Sequence, residues 1–351
     1  MATRMSSFPG TGLVAQIAVV GLVACVQYRP GWCSSLQKQW PWAGDPQVHG
    51  DNKHSLGTST GIASKSKRRW AVEGKSSELR WWRNVFRLMG NLTPEASFPR
   101  SRFPPQVRRR FASRLAPQRP LQAFFRELLE LHFPAEHDYR ILDAGAGPFT
   151  QVGHVWAGHQ VELFATDAMA SEFDRLFAAH PHMRRPAVHT QQCDFERLSQ
   201  CLRPLVGQLH FVWTQNSLDH AYDPLAGIAG MLYLLRPRGL LGVLVFENEA
   251  KNEGYRGMHQ WNFWRSQPNR KPRLLLGDRW GIVADIEQSF AQNATLLRSE
   301  IVRYWSDDDS SGMEPISELQ LHQVSKRHRW LLILLQKKES TAVRADSRPL
   351  G

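Results

Sequence analysis

From residue 139 onward, short apolar runs alternate with stretches of helical period, and this alternation limits the possible folds more than any other feature of the chain. Arg140-Ile141-Leu142 forms the first run and ends at Asp143; residues 160–166, 187–192, 210–214 and 240–246 form four more. Helices are predicted between them at 150–157, 170–180, 196–202 and 225–235. Such strand–helix alternation predicts an α/β fold, a doubly wound Rossmann-like and mainly parallel sheet. Two later runs, 295–305 and 329–336, are separated by a long polar connection. They are predicted to pair antiparallel along the C-terminal edge of the sheet.

The N-terminal third is different. Residues 1–118 contain 18 Lys/Arg against 5 Asp/Glu, whereas 119–351 contain 26 against 27. The overall charge of +12 therefore belongs to the first part, and it does not argue for a nucleic-acid substrate of the folded part. Residues 12–26 are apolar except for Gln16, the length of a signal-peptide core and short of a comfortable membrane span, so 1–26 reads as a signal peptide or signal anchor. Residues 27–78 have no sustained hydrophobic period and carry the cluster Lys65-Ser66-Lys67-Arg68-Arg69; they read as a disordered basic linker. The two together resemble the bipartite presequence of algal plastid proteins, and entry to the secretory route or anchoring at a membrane fits the same letters. Residues 79–118 are predicted as a short helical extension that covers one edge of the following domain. That domain spans 119–338, with a flexible tail at 339–351.

Cys25, Cys33, Cys193 and Cys201 form no C-x-x-C pair and show no metal-ligand spacing. No disulfide framework and no metal site are therefore expected; free thiols are the favoured reading, and Cys193 and Cys201 pair only if the fold brings them together.

In an open α/β sheet, ligands bind beyond the carboxyl ends of the strands. After the first strand comes Asp143-Ala144-Gly145-Ala146-Gly147-Pro148-Phe149-Thr150, whose glycines permit a sharp turn and a close approach to a ligand. Asp167 follows the second strand, placed to accept from two ribose hydroxyls, and Asp194 follows the third, placed to accept from an adenine amino group. Gln215-Asn216-Ser217-Leu218-Asp219-His220 follows the fourth. A nicotinamide dinucleotide would set its pyrophosphate on a G-x-G-x-x-G loop. Here Thr150 occupies the third glycine position, and a carboxylate at Asp143 is a poor neighbour for a pyrophosphate. S-adenosylmethionine carries no phosphate and brings an ammonium and a sulfonium, so the pattern favours it.

Residues 141–150 resemble the first motif of class I S-adenosylmethionine-dependent methyltransferases, with Phe149 where a third glycine often stands. Thr166-Asp167-Ala168-Met169-Ala170 is similar to the second motif and Cys193-Asp194-Phe195 to the third. Residues 216–224 followed by Leu235-Arg236-Pro237-Arg238-Gly239 resemble the later motifs of the methyltransferase type 11 group, Arg238 replacing a glycine. The resemblance implies a methyltransferase that binds S-adenosylmethionine through Asp143, Gly145, Gly147, Thr150, Asp167, Asp194 and Asn216.

An oxygen or nitrogen nucleophile must usually shed a proton, which makes a neutral histidine useful as a base. His220 and His259 are the catalytic candidates, the latter in the polar, aromatic stretch 254–262. The expected acceptor is a small molecule or a glycan-like compound. Two other readings are a non-catalytic S-adenosylmethionine-binding module held at a membrane through 12–26, and an RNA or protein methyltransferase using the basic stretch 80–114. Asn91-Leu92-Thr93 and Asn293-Ala294-Thr295 match glycosylation acceptors, relevant only within the secretory lumen.

Overall fold

The computed structural model describes residues 74–90, 111–266, 272–305, 312–316 and 329–339. These all belong to one compact unit, 54–351. The signal-like segment, nearly all of the basic linker, and the tail beyond 339 lie outside the described residues.

Eight strands form the main sheet. Five run parallel: β1 (Asp138–Ala144), β2 (Gln160–Asp167), β3 (Thr190–Gln192), β4 (Leu209–Gln215) and β5 (Leu235–Phe246). Three small strands, β6 (Asn262–Arg265), β7 (Leu274–Asp278) and β8 (Gly281–Asp285), make a separate antiparallel sheet. The main sheet is completed by β9 (Ala294–Trp305), β10 (Gly312–Pro315) and β11 (Trp330–Lys337), all paired antiparallel. Its order is β10-β9-β11-β5-β4-β1-β2-β3, with β1 beside both β2 and β4. The order reverses there, which puts the ligand crevice at the tips of these strands.

Both faces of the sheet are covered, as continuous apolar strands require. All seven residues of β4 are buried. Leu142, Val212, Leu241 and Val243 pack on one side with Ile228, Met231 and Leu232. Ile141, Phe211, Trp213 and Leu244 pack on the other with Phe125, Leu128 and Leu129. The covering helices include α1 (Lys75–Gly90), α2 (Ala123–His132), α3 (Ala170–Ala179), the short α4 (Leu198–Cys201) and α5 (Pro224–Leu234), followed by the short α6 (Glu249–Asn252) and α7 (Ile286–Phe290). α5 starts where Asp223 accepts from the backbone N–H groups of Leu225 and Ala226 and where Pro224 presets the first turn.

α1 begins at Lys75, a few residues before the helical extension expected from 79. It lays Trp82, Val85, Phe86 and Met89 onto Phe149 of the glycine loop and onto Phe173 and Phe177 of α3. Burying an aromatic of this kind contributes about 1.5–3 kcal/mol. The Lys75 ammonium lies 2.6 Å from the Glu172 carboxylate at the start of α3.

Several expectations need correction. The helix expected at 150–157 does not form. Its backbone groups bond instead to the chain at 119–122: Val155 N–H donates to Arg119 O at 3.0 Å, and Leu121 N–H to Val155 O at 2.8 Å. A side chain at Gly153 would meet Pro120 O at 1.7 Å, so this close approach needs a glycine. The helix expected at 196–202 is a 3-10 turn, Phe195–Arg197, running into the single turn of α4. Cys193 and Cys201, expected as free thiols, form a disulfide with Cα atoms 6.1 Å apart, because the tight turn folds the chain back between them. β5 starts at Leu235 rather than 240, since Arg238 takes a left-handed φ of 61° in place of the missing glycine and the chain continues in pairing with β4. The three-stranded sheet β6–β8 was not expected at all.

Candidate active site

The tips of β1, β2, β3 and β4 surround one cleft, partly open to solvent. Gly145, Asp167, Asp194 and His220, four of the expected site residues, form its walls with Ala168, Phe195 and Leu198. Asp143, Gly147, Thr150 and Asn216 stand behind this wall rather than in it.

The glycine loop is fixed from three sides. Gly145 and Gly147 have φ of 74° and 66°, where any other residue is strained. The amides of Gly145 and Ala146 donate to Thr166 O at 2.8 and 2.9 Å. A Cβ on Gly145 would lie 2.2 Å from Ser217 Oγ, and one on Gly147 3.0 Å from the Trp82 ring. Asp143 is buried, and one of its oxygens accepts from Thr150 Oγ1 at 2.6 Å and from the Gln151 amide at 3.1 Å. Burial pushes this carboxyl up, while Thr150, Gln151 and the nearby arginines pull it back. Asp143 and Thr150 thus hold the loop's exit.

Asp167 Oδ2 accepts from Gly147 N–H at 3.0 Å and Oδ1 from Met169 N–H at 2.8 Å. Each oxygen retains a lone pair for a ligand hydroxyl in the cleft. Burial pushes Asp167 up to about 6 against those two amides. Asp194 follows β3, and the disulfide from its neighbour Cys193 to α4 holds this wall. Thr166 Oγ1, also in the wall, is buried without a hydrogen-bond partner among the described residues.

Asn216 adopts φ 50° and donates its amide to Leu244 O at 2.8 Å, turning the chain from β4 into the 3-10 turn Leu218–His220. That turn carries Asp219 and His220. The stretch 254–262 folds against it: Trp261 Nε1 donates to Ala221 O at 2.8 Å and Gln260 N to Asp219 O at 3.3 Å. This brings His259 to His220, with Nδ1 of the first 3.2 Å from Nε2 of the second. His259 Nδ1 is also 2.7 Å from Asp219 Oδ2 and 3.6 Å from Glu249 Oε1. Burial drives His220 down to about 4, with the Asp219 charge opposing and His259 adding to the shift. For His259 burial also acts downward, but the Glu249 and Asp219 carboxylates outweigh it and lift the ring to about 10. Burial, reinforced by the Asp219 charge, pushes Glu249 well above the carboxylate range.

Three functional residues escaped the sequence reading. Glu78 of α1 lies close enough to feel the charges of His259, Asp167 and Asp219, and burial pushes it up to about 7. Asp219 and Glu249 complete the histidine cluster. Asp219 and Glu249 stood beside flagged residues in the sequence, but spacing alone does not show that they converge. Met258, on the wall of the cleft, sits against the start of α1, where a Cβ on Gly74 would lie 2.6 Å from its side chain.

The fold is Rossmann-like. Its sheet ends in the antiparallel edge that the methyltransferase resemblance implies. No family model and no curated protein matches the sequence. Among solved structures, the chain is similar to the N-methyltransferase NodS from Bradyrhizobium japonicum WM9 in complex with S-adenosylhomocysteine. That likeness has 16% identity and a TM-score of 0.33, covering 62% of this chain and 89% of NodS. Another is the Burkholderia thailandensis 1,6-didemethyltoxoflavin-N1-methyltransferase with bound 1,6-didemethyltoxoflavin and S-adenosylhomocysteine, at 15% identity and a TM-score of 0.38, covering 82% of this chain and 94% of that one. A third is the [4+2]-cyclase SpnF, at 13% identity and a TM-score of 0.36, covering 74% and 94%. Among the described residues no helix is long and apolar enough to cross a membrane; residues 12–26 lie outside them.

Proposed function

We propose that the chain is a transferase that moves a methyl group from S-adenosylmethionine to an oxygen or nitrogen of a small-molecule or glycan-like acceptor. The observation that carries this reading is the convergence of Gly145, Asp167 and Asp194, from three neighbouring strand tips, on one cleft. The residues present suit the cofactor. Asp167 keeps outward lone pairs for a ribose diol, and Thr166 Oγ1 is a buried polar atom without a partner among the described residues. Ala168, Phe195 and Leu198 offer apolar walls for a purine, and Asp194 an acceptor for its amino group. The absence of any cluster of basic residues in this wall agrees with a ligand that carries no phosphate.

When bound, the cofactor supplies an electrophilic methyl group on a cationic sulfur. The protein's task is to align the acceptor with it, which is worth roughly 7–11 kcal/mol in well-oriented reactions. His220 faces the cleft, is neutral near pH 7, and is the side chain placed to take up an acceptor proton. His259 stands behind it and bears the positive charge. α1 packs against Phe149 of the glycine loop and brings Glu78 near the cluster.

Calorimetric titration of the full chain with S-adenosylhomocysteine tests the cofactor assignment; no heat at millimolar ligand removes it. A screen of metabolite extracts with methyl-labelled cofactor tests the reaction. Label transferred to a low-molecular-weight product supports the proposal. Label found in RNA or protein instead favours a macromolecular acceptor, and binding without any transfer favours a non-catalytic module.

A further inference from the structure

The histidine cluster has the wrong shape for a proton relay. In a relay, one ring nitrogen faces the carboxylate and the other faces the next group, so a proton passes through the imidazole. Here a single atom, His259 Nδ1, is nearest both to Asp219 Oδ2 at 2.7 Å and to His220 Nε2 at 3.2 Å. His220 Nε2 in turn lies 3.4 Å from the same Asp219 oxygen. Two nitrogens and a carboxylate oxygen therefore point at a common centre, each ring turning its other nitrogen away.

Ligand atoms about 2.1 Å from a shared ion stand roughly 3.0–3.4 Å apart in octahedral or tetrahedral arrangements. Two of the three separations match, and the third is that of the hydrogen bond that holds the triad together. Among the described residues, Asp219, His220 and His259 are the group whose ligand atoms fall within 4.8 Å of one another. Glu249 Oε1 lies 3.6 Å from His259 Nδ1 but outside that group.

A second observation points to a missing ligand. Asp219 is 1% exposed and its Oδ1 has no hydrogen-bond partner among the described residues; Glu249 is 8% exposed and its Oε2 has none either. A buried Asp219 oxygen without a partner, beside two imidazoles, is costly unless a ligand satisfies it. Imidazole and carboxylate together suit first-row transition metals such as Zn²⁺, Mn²⁺ or Fe²⁺ better than Ca²⁺ or Mg²⁺. The His259 side chain remains 27% exposed, which leaves a path for an ion to enter.

We propose that Asp219, His220 and His259 form a binding site for one divalent first-row transition-metal ion beside the cleft that His220 lines, with Glu249 next to His259 outside the ligand set. Its role rests on the methyl-transfer reading: the ion would bind an acceptor oxygen and make its proton easier to lose, taking over from His220 as the activating group. Binding of the ion itself does not depend on that reading.

The test uses the full-length chain, treated with chelator, dialysed, and titrated with Co²⁺ as a spectroscopic probe and with Zn²⁺ as its competitor. One Co²⁺ per chain is expected, with visible absorption bands that Zn²⁺ abolishes. H259A and D219N should each weaken Co²⁺ binding by 100-fold or more while the far-ultraviolet circular dichroism stays unchanged; D219N, nearly isosteric, covers the case in which H259A does not fold. Absence of the bands, or the same Co²⁺ affinity in folded D219N, overturns the proposal. Titration of the same samples with S-adenosylhomocysteine separates the two ideas. Cofactor binding without Co²⁺ binding removes the metal site alone, and Co²⁺ binding without cofactor binding removes the methyltransferase reading alone.

Discussion

Asp167 holds the glycine loop through Gly147: its Oδ2 accepts the Gly147 amide at 3.0 Å while its Oδ1 accepts Met169 at 2.8 Å. One side chain thus sets the end of the loop and the start of α3, and still faces the cleft. Replacing Asp167 by Ala should remove the proposed ribose contact as well as the brace. S-adenosylhomocysteine affinity should fall roughly 10- to 100-fold, the worth of one charge-assisted hydrogen bond of about 1.5–3 kcal/mol.

The same carboxyl sets a pH dependence. Burial lifts it to about 6, above its ordinary value, so the folded chain holds this proton more tightly than the unfolded chain does. Rising pH between those two values therefore removes stability, the reverse of the usual paired carboxylate. Cofactor binding runs the other way, because the ionised form accepts ribose hydroxyls. Affinity measured by titration calorimetry should drop about tenfold per pH unit below about 6 and level off above it. A flat profile from pH ~5 to ~8 would take Asp167 out of the cofactor's contacts.

Two glycines with left-handed backbones should respond differently to alanine. Gly145→Ala places a Cβ 2.2 Å from Ser217 Oγ and 2.9 Å from the Phe195 ring, whereas Gly158, at φ 82°, has open space around it. Gly158→Ala should cost about 1–2 kcal/mol, the backbone penalty alone. Gly145→Ala should cost about 1–3 kcal/mol more and abolish cofactor binding. Urea melts of both variants beside the parent chain supply the comparison.

The Cys193–Cys201 disulfide closes a short loop that carries Asp194 and Phe195. Reduction should lower stability by about 2–3 kcal/mol and weaken cofactor binding, since that wall loses its clamp. In the C193S/C201S double variant, dithiothreitol should leave the melting temperature unmoved. Two titratable thiols in the unreduced, unfolded chain beyond Cys25 and Cys33 would contradict the pairing.

Trp82 is 8% exposed and sits edge-on to Phe149 and Phe173, each with ring centroids 5.6 Å away. Trp82→Ala should cost about 3–5 kcal/mol by denaturant titration. The loss should appear as release of α1, seen as faster proteolysis near residues 74–90.

The parallel sheet could be read from the chain because its central strands, β4 and β5, are buried and appear as apolar runs, while β2 and β3 were read from their place in the alternation. Asp143, Asp167 and Asp194 could be read because each stands at or just past the end of a strand. The stretch 150–157 looked helical by period, but its backbone was taken by 119–122, a contact that no local pattern records. β6–β8 were hidden by their shortness and by the polar letters between them. The histidine cluster was hidden for a different reason. Asp219 and His220 come from a β4 tip, His259 from a loop 39 residues later, and Glu249 from the single turn of α6. Nothing in linear spacing anticipates that meeting; the signal that existed was the density of polar and aromatic side chains in 254–262. Cys193 and Cys201 were misjudged because a 3-10 turn, unlike a regular helix, folds the chain back sharply enough to join them.

α1 packs into the core of this molecule, although its first turn comes from what reads as a disordered linker. Its inner face touches Phe149 and Met169, and its first turn carries Glu78 toward the cluster. Any maturation that trims the basic N-terminal arm must therefore stop short of residue 74. A protease that cut a dozen residues further on would take away the packing behind the glycine loop and leave a chain with every motif intact and its first loop unbraced.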